Sequence, residues 1–214
     1  MDEEFLIINS NTRTEKIKIF FVDNRKLLIS TFAVLILILF SVFSYQTYKN
    51  GHREELANKY NSAVIDFKNA DKLGVILSMK EIIEDKDTTY SPLALYFLID
   101  NNLIDNKSEI NNLFDILINE TSLEPEIKNL LHYKKALYNS DFIKENELIK
   151  ILNPIINSES IWKSHALYLL AEFFYSNNEK EKAKEFFNQI LILPNSNIEI
   201  KLESQKRLNR DLGE

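Results

Sequence analysis

Residues 167–187 read LYLLAEFFYSNNEKEKAKEFF. Leu167, Leu170, Ala171 and Phe174 stand at the three- and four-residue intervals of one helix face. After a polar corner at Asn177-Asn178, Ala183 and Phe187 repeat that spacing on a second helix. Small Ala171 and Ala183 let two antiparallel helices approach closely, while Leu170, Phe174 and Phe187 fill the seam between them. Pro194 ends the second helix. The stretch therefore predicts a tight helical hairpin, with Leu167, Leu170, Ala171, Phe174, Ala183 and Phe187 as its packing residues.

Working outward, the rest of the chain is punctuated in the same way. Three glycines and four prolines starve it of β-turns and favour helices joined by short polar corners. Ser91-Pro92 reads as an N-cap followed by proline in the first helical position. Thr121-Ser122-Leu123-Glu124 has capping-box spacing beside Pro125, and Asn153-Pro154 reads as a break. Between the breaks the apolar period predicts helices over 53–70, 72–84, 91–104, 107–118, 123–138, 141–152, 159–176, 180–192 and 197–210. No window alternates long enough to be a strand, so the fold class is all-α.

The six packing residues of 167–187 resemble the tetratricopeptide repeat at every place, with Pro194 one position early. Tyr90, Leu93, Ala94 and Phe97 match its first half, but Asn106 stands where the second helix wants alanine. Over 123–152 no register fits well, since aligning Ala136 as the small residue puts Asn139 at the aromatic place. The expected architecture is a tetratricopeptide-like helical-hairpin solenoid of three or four divergent repeats. Helix 197–210 would cap it, its charges Glu199, Lys201, Glu203, Lys206, Arg207 and Arg210 solvating an exposed end.

Ahead of this domain lies Leu27–Tyr45, LLISTFAVLILILFSVFSY, without a single charge. Its length as a helix is roughly 28 Å, close to the hydrocarbon thickness of a bilayer. It has no polar face, as a soluble core helix would need. The chain thus divides into a cytoplasmic tail (1–26), a single transmembrane anchor (27–45) and an extracytoplasmic domain (46–214). Arg13, Lys16, Lys18, Arg25 and Lys26 precede the anchor and only Lys49, Arg53 and Lys59 follow closely, which places the N-terminus in the cytoplasm. The long acid-bearing tail favours an uncleaved anchor over a cleaved signal peptide.

Beyond the anchor remain 21 basic and 27 acidic residues, a balance that argues against a nucleic-acid partner. With no cysteine in the chain, disulfides, thiol catalysis and cysteine metal sites are excluded. His52, His132 and His165 are scattered, and only His52 has a carboxylate, Glu55, at helical ligand spacing. Glu54-Glu55 and Glu81/Glu84 read as solvated helix faces. The chain carries no phosphate-cradling loop or nucleophile elbow, so neither an enzyme, a cofactor, a metal site nor a small-molecule substrate is expected. The candidate partner-binding face is the strip between the packing positions: His165, Tyr168, Glu172, Tyr175 and Ser176. A second reading has this strip simply pack on helix 197–210. Trp162 reads as a core or edge residue, and less readily as an interface anchor.

Short tail, signal anchor and acidic helical domain, together with Leu170-Ala171, Phe174, Ala183 and Phe187, resemble the ancillary SecYEG translocon subunit family. Phe5-Leu6 and Arg25-Lys26 fit as well; the asparagine and aspartate corners depart from the glycine-rich ones common in such domains. The resemblance implies a single-pass protein of the bacterial inner membrane with its C-terminal domain in the periplasm. It would act as an interaction module at the protein-export channel, linking translocated chains to periplasmic chaperones. The alternatives are an envelope scaffold for cell-wall assembly or division, and a regulator whose tail binds a cytoplasmic factor.

Overall fold

The structure, a computed structural model, describes residues 14–69 and 71–213. Asp2, Glu3, Glu4, Phe5, Leu6 and Arg13 of the tail lie outside the described residues. Among those described, all regular structure is helical: α1 (residues 14–23), α2 (Arg25–Lys68), α3 (Lys72–Glu84), α4 (Tyr90–Asp100), α5 (Lys107–Glu120), α6 (Pro125–Asn139), α7 (Glu145–Ile156), α8 (Lys163–Ser176), α9 (Lys180–Ile192) and α10 (Ile198–Asp211). The chain forms two compact units, Met1–Glu55 and Leu56–Glu214.

In the first unit no residue of Leu27–Tyr45 is buried, and the helix containing it is long and apolar enough to cross a membrane. Ser30 and Ser41 donate their hydroxyls to the carbonyls of Leu27 and Leu37, both at 2.8 Å, so neither demands an outside partner. No helix is expected over 46–52, between the anchor and the first helix of the domain, whereas α2 continues through it. A lone Gly51 costs only about 1 kcal/mol against alanine in a helix, too little to end one without proline or a cap.

The second unit opens with the last turns of α2, which bury Leu56 and Ala63 and lay Tyr60, Val64 and Phe67 against the first of two cores. That core gathers Val75, Met79, Ile82 and Ile83 of α3, Leu95 and Leu98 of α4, Phe114 and Leu117 of α5, and Leu131 of α6. The second takes over within α6 at Ala136 and adds Leu148, Leu152 and Ile155 of α7, Leu170, Ala171 and Phe174 of α8, Ala183, Phe187 and Ile190 of α9, and Leu208 of α10. From α3 onward each helix packs on the next in sequence, and α3–α5, α6–α8 and α8–α10 also touch.

Burial follows one spacing twice in the second core. Leu131, Ala136, Asn139, Leu148, Leu152 and Ile155 are buried across α6–α7. Ala166, Ala171, Phe174, Ala183, Phe187 and Ile190 are buried at the corresponding places of α8–α9. Ala136 thus corresponds to Ala171, and Asn139 stands where α8 has Phe174.

Several expected ends are made differently. Ser91 is not an N-cap: α4 begins at Tyr90, the Asp87 carboxylate accepts from Thr89 and Tyr90 N–H, and Ser91 Oγ donates to Ile82 O. No capping box forms at Thr121; it ends α5 with its Oγ1 buried and without a hydrogen-bond partner among the described residues, and Glu124 precedes Pro125 at the start of α6. Pro154 lies inside the last turn of α7, where its missing N–H removes just one helical bond, the one the Lys150 carbonyl would accept. Asn106 is the N-cap of α5, accepting from Ser108 and Glu109 N–H, which is why no alanine stands there.

The corners carry almost no glycine. α4 and α8 end with Asn102 and Asn178 at φ 48° and 62°, in the left-handed region. The bonds Leu103 N–H to Leu98 O and Glu179 N–H to Phe174 O close both corners. Lys86, at φ 55°, serves the same purpose after α3.

Candidate partner-binding surfaces

Two surfaces of the second unit carry polar and aromatic groups together. The first is the strip of α8 predicted from sequence. Its upper end is an aromatic cluster: Trp162, immediately before α8, stacks on Tyr133 of α6 with ring centroids 6.1 Å apart and planes 16° off parallel. The His165 ring lies 5.2 Å from Trp162 and 5.8 Å from Tyr133. Burial lowers the His165 pKa, favouring the neutral ring, and its Nδ1 has no hydrogen-bond partner among the described residues.

Farther along, Tyr168 sets its ring edge-on to Phe187 at 5.6 Å. Burial pushes the Tyr168 hydroxyl pKa up to about 12, and the adjacent Glu172 carboxylate adds to the shift. Glu172 accepts from the Arg207 guanidinium of α10, with Nε–H at 2.7 Å and Nη2–H alongside. Arg207 also donates to Asp211 and lies over the Tyr175 ring at 4.4 Å from its centre. These carboxylates raise the Arg207 pKa further, the hydrogen bonds to Glu172 first. Ser176 is exposed and donates to Phe173 O at 2.9 Å.

Thus Glu172 and Tyr175 contact α10 through Arg207, Tyr168 and His165 are packed among aromatic neighbours, and only Ser176 faces outward. Arg207 departs from its expected role. Rather than solvating an exposed end, its half-buried guanidinium reaches back across α8. Glu199, Lys201, Lys206 and Arg210 of the same helix are exposed, and Glu203 is half-buried.

The second surface was not foreseen: a groove of about 480 Å³ bounded by α5, α6 and α7. On its floor Asn111 and Asn139 form a reciprocal amide pair, Asn111 Nδ2 to Asn139 Oδ1 at 2.9 Å and Asn139 Nδ2 to Asn111 Oδ1 at 2.8 Å. Their remaining amide hydrogens go to Lys107 O and Lys135 O, so all donors on the floor are satisfied. Lys135 pairs with Asp115 at 2.7 Å on one wall. His132 lies beside them, its pKa lowered by burial and by Lys128 and Lys135, and partly restored by Asp115 and a bond to the Ile151 main chain. Across the groove Glu147 and Lys150 of α7 make no ion pair among the described residues, with Ile118, Ile143 and Ile151 as apolar relief. The one sequence signal for this site is Asn139 in place of an aromatic residue.

No group of three or more His, Asp or Glu side chains among the described residues is arranged to hold a metal ion. Comparison with protein-family models, curated proteins and solved structures returns no match for this chain.

Proposed function

We propose that this chain is a membrane-anchored protein-interaction module whose second unit is a tetratricopeptide-like array. The observation that carries the proposal is one chain joining an exposed, uncharged Leu27–Tyr45 to a helical unit whose α6–α7 and α8–α9 bury the same spacing of residues. Arrays of this kind present long grooves rather than enclosed catalytic pockets. The α5–α7 groove, with its floor amide donors satisfied and Glu147 and Lys150 on its wall without ion pairs among the described residues, suits an extended polypeptide segment carrying both charges.

The basic flank Arg25-Lys26 supports a cytoplasmic N-terminus and a periplasmic domain at the bacterial inner membrane. On the family resemblance, the module sits beside the protein-export channel and passes translocated chains to periplasmic chaperones. A scaffold for cell-wall assembly or division is the second reading. It is favoured by Arg207, which engages Glu172 and Tyr175 within the chain and leaves that strip less open to a client.

Crosslinking in intact membranes, detergent extraction and mass spectrometry of copurifying proteins separate the two. Enrichment of translocon subunits and a periplasmic chaperone, lost when Leu27–Tyr45 is exchanged for an unrelated anchor, supports the export reading. Division or cell-wall proteins without channel subunits would overturn it in favour of the scaffold.

A further inference from the structure

We infer that α1 is a lipid-binding extension of the anchor, whose apolar residues enter the headgroup layer while its lysines engage anionic phospholipids. The inference rests on reading Leu27–Tyr45 as the membrane span. The described part of the tail is a helix in which Ile17, Ile19, Phe20, Phe21 and Val22 are 50%, 58%, 57%, 57% and 59% exposed. Ile17, Phe20 and Phe21 fall at i, i+3 and i+4 and so share one face. Lys16 and Lys18 stand on either side of that face, and Glu15 lies opposite it. This is the layout of a surface-bound membrane helix, in which lysine stems run along the apolar face and their ammonium groups reach the phosphates. Ile19 and Val22 fall on the Glu15 side, so apolar character encircles the helix as it nears the anchor.

Position settles the occupant. Asn24 alone interrupts the helix; its amide donates to Phe20 O at 3.0 Å, and its carbonyl accepts from Leu28 N–H at 2.9 Å. By helical rise Val22 is therefore roughly 8 Å from the start of the uncharged span, within the interfacial layer of a bilayer. Lys16, Lys18, Arg25 and Lys26 outnumber Glu15 and Asp23 there, a surplus that suits a negatively charged leaflet. The other end of the span is finished differently, by exposed Tyr45 and Tyr48.

The absence of cysteine makes the test direct. The full chain carrying one spin label at Glu15→Cys, Ile17→Cys, Phe21→Cys or Leu35→Cys is reconstituted into phosphatidylethanolamine–phosphatidylglycerol vesicles. Accessibility to oxygen against a water-soluble nickel chelate is then measured by electron paramagnetic resonance. The expected result is a shift toward oxygen at Ile17 and Phe21, with Glu15 on the nickel side. Phe20→Ser with Phe21→Ser should return the Ile17 label toward nickel, and phosphatidylcholine vesicles should diminish its shift. Labels at Ile17 and Phe21 as open to nickel as Glu15, while Leu35 is shielded, would overturn the inference and leave the span intact. Labels shielded from both reagents would overturn it in favour of a protein partner. A nickel-accessible Leu35 would overturn the span itself, and this inference with it.

Discussion

The two cores of the second unit reach the same degree of burial by different means. The first is filled by branched and long side chains, Val75, Met79, Ile82, Ile83, Leu95, Leu98 and Ile110, around Phe114, with Ala63 and Ala94 the alanines among its described residues. The second places Ala136, Ala166, Ala171 and Ala183 where helices meet, and fills between them with Phe174 and Phe187. In the first core volume fixes the helix positions; in the second, close backbone approach does. The packing spacing is legible in sequence where alanine marks the approach. α6 serves both, with Leu131 in one and Ala136 in the other, and the Asn111–Asn139 pair ties α5 to it.

The hardest way to break this comparison is to empty each core in turn. Phe114→Ala and Phe187→Ala each remove a fully buried ring and should cost about 3–5 kcal/mol. If α6 makes the two cores one cooperative body, urea unfolding will show a single, displaced transition for both variants. Two separated transitions would mean that each core melts alone. Asn139→Leu attacks the joint itself, removing both amide–amide bonds and stranding Asn111, at roughly 1–3 kcal/mol. Adding Asn111→Leu should recover part of that loss, and a double-mutant cycle measures the coupling.

Arg207→Met probes how α10 is fastened to the second core and should cost about 1 kcal/mol, since the ion pair is partly solvated. The Asp211 carboxyl is held down at about 2 by Arg210 and then Arg207, below its ordinary 3.8. Its contribution is thus complete above the ordinary value and is lost as pH falls toward about 2. In the Met variant an NMR titration should find Asp211 moving back up. The smallest effect concerns His132, at the second core's groove, and His165, in its aromatic cluster. Both have pKa values lowered below 6.5, chiefly by burial. The unfolded chain therefore takes up their protons first. Stability is full above about pH 6.5 and declines as pH drops toward the folded-state values. His132→Gln should flatten that decline in chemical-denaturation midpoints measured across the range.

Much of the helical layout follows from local signals. Helices 72–84 and 180–192 have the expected bounds, because polar corners and the apolar period specify them within a few residues. The failures share a cause. Thr121, Ser91 and Asn139 looked like a cap, a cap and a misplaced polar residue. Their environments were set by neighbours outside the local pattern: the α5 terminus, Ile82 O and Asn111. The packing residues of α8–α9 could be read directly, being periodic and apolar. The partner strip could be read only as a list of side chains, since whether α10 lies over it depends on Arg207 reaching from another helix. The groove was nearly as hidden: three helices make it, and Asn139 alone, standing where an aromatic residue was expected, hints at it.

The left-handed corners give this domain unspent thermal headroom. Most side chains resist that backbone region, asparagine less than lysine, and glycine is free of the penalty. Lys86, at φ 55°, is the costliest occupant of the three. Lys86→Gly should raise stability by up to about 1 kcal/mol, less what glycine adds to the freedom of the unfolded chain and what the exposed Lys86–Glu120 ion pair contributes. For a domain this size that is a gain of roughly 2–4 °C in melting temperature at most. Asn102 and Asn178 have less to give. A heat-hardened version of the domain thus begins at its turns, leaving both cores and the groove untouched.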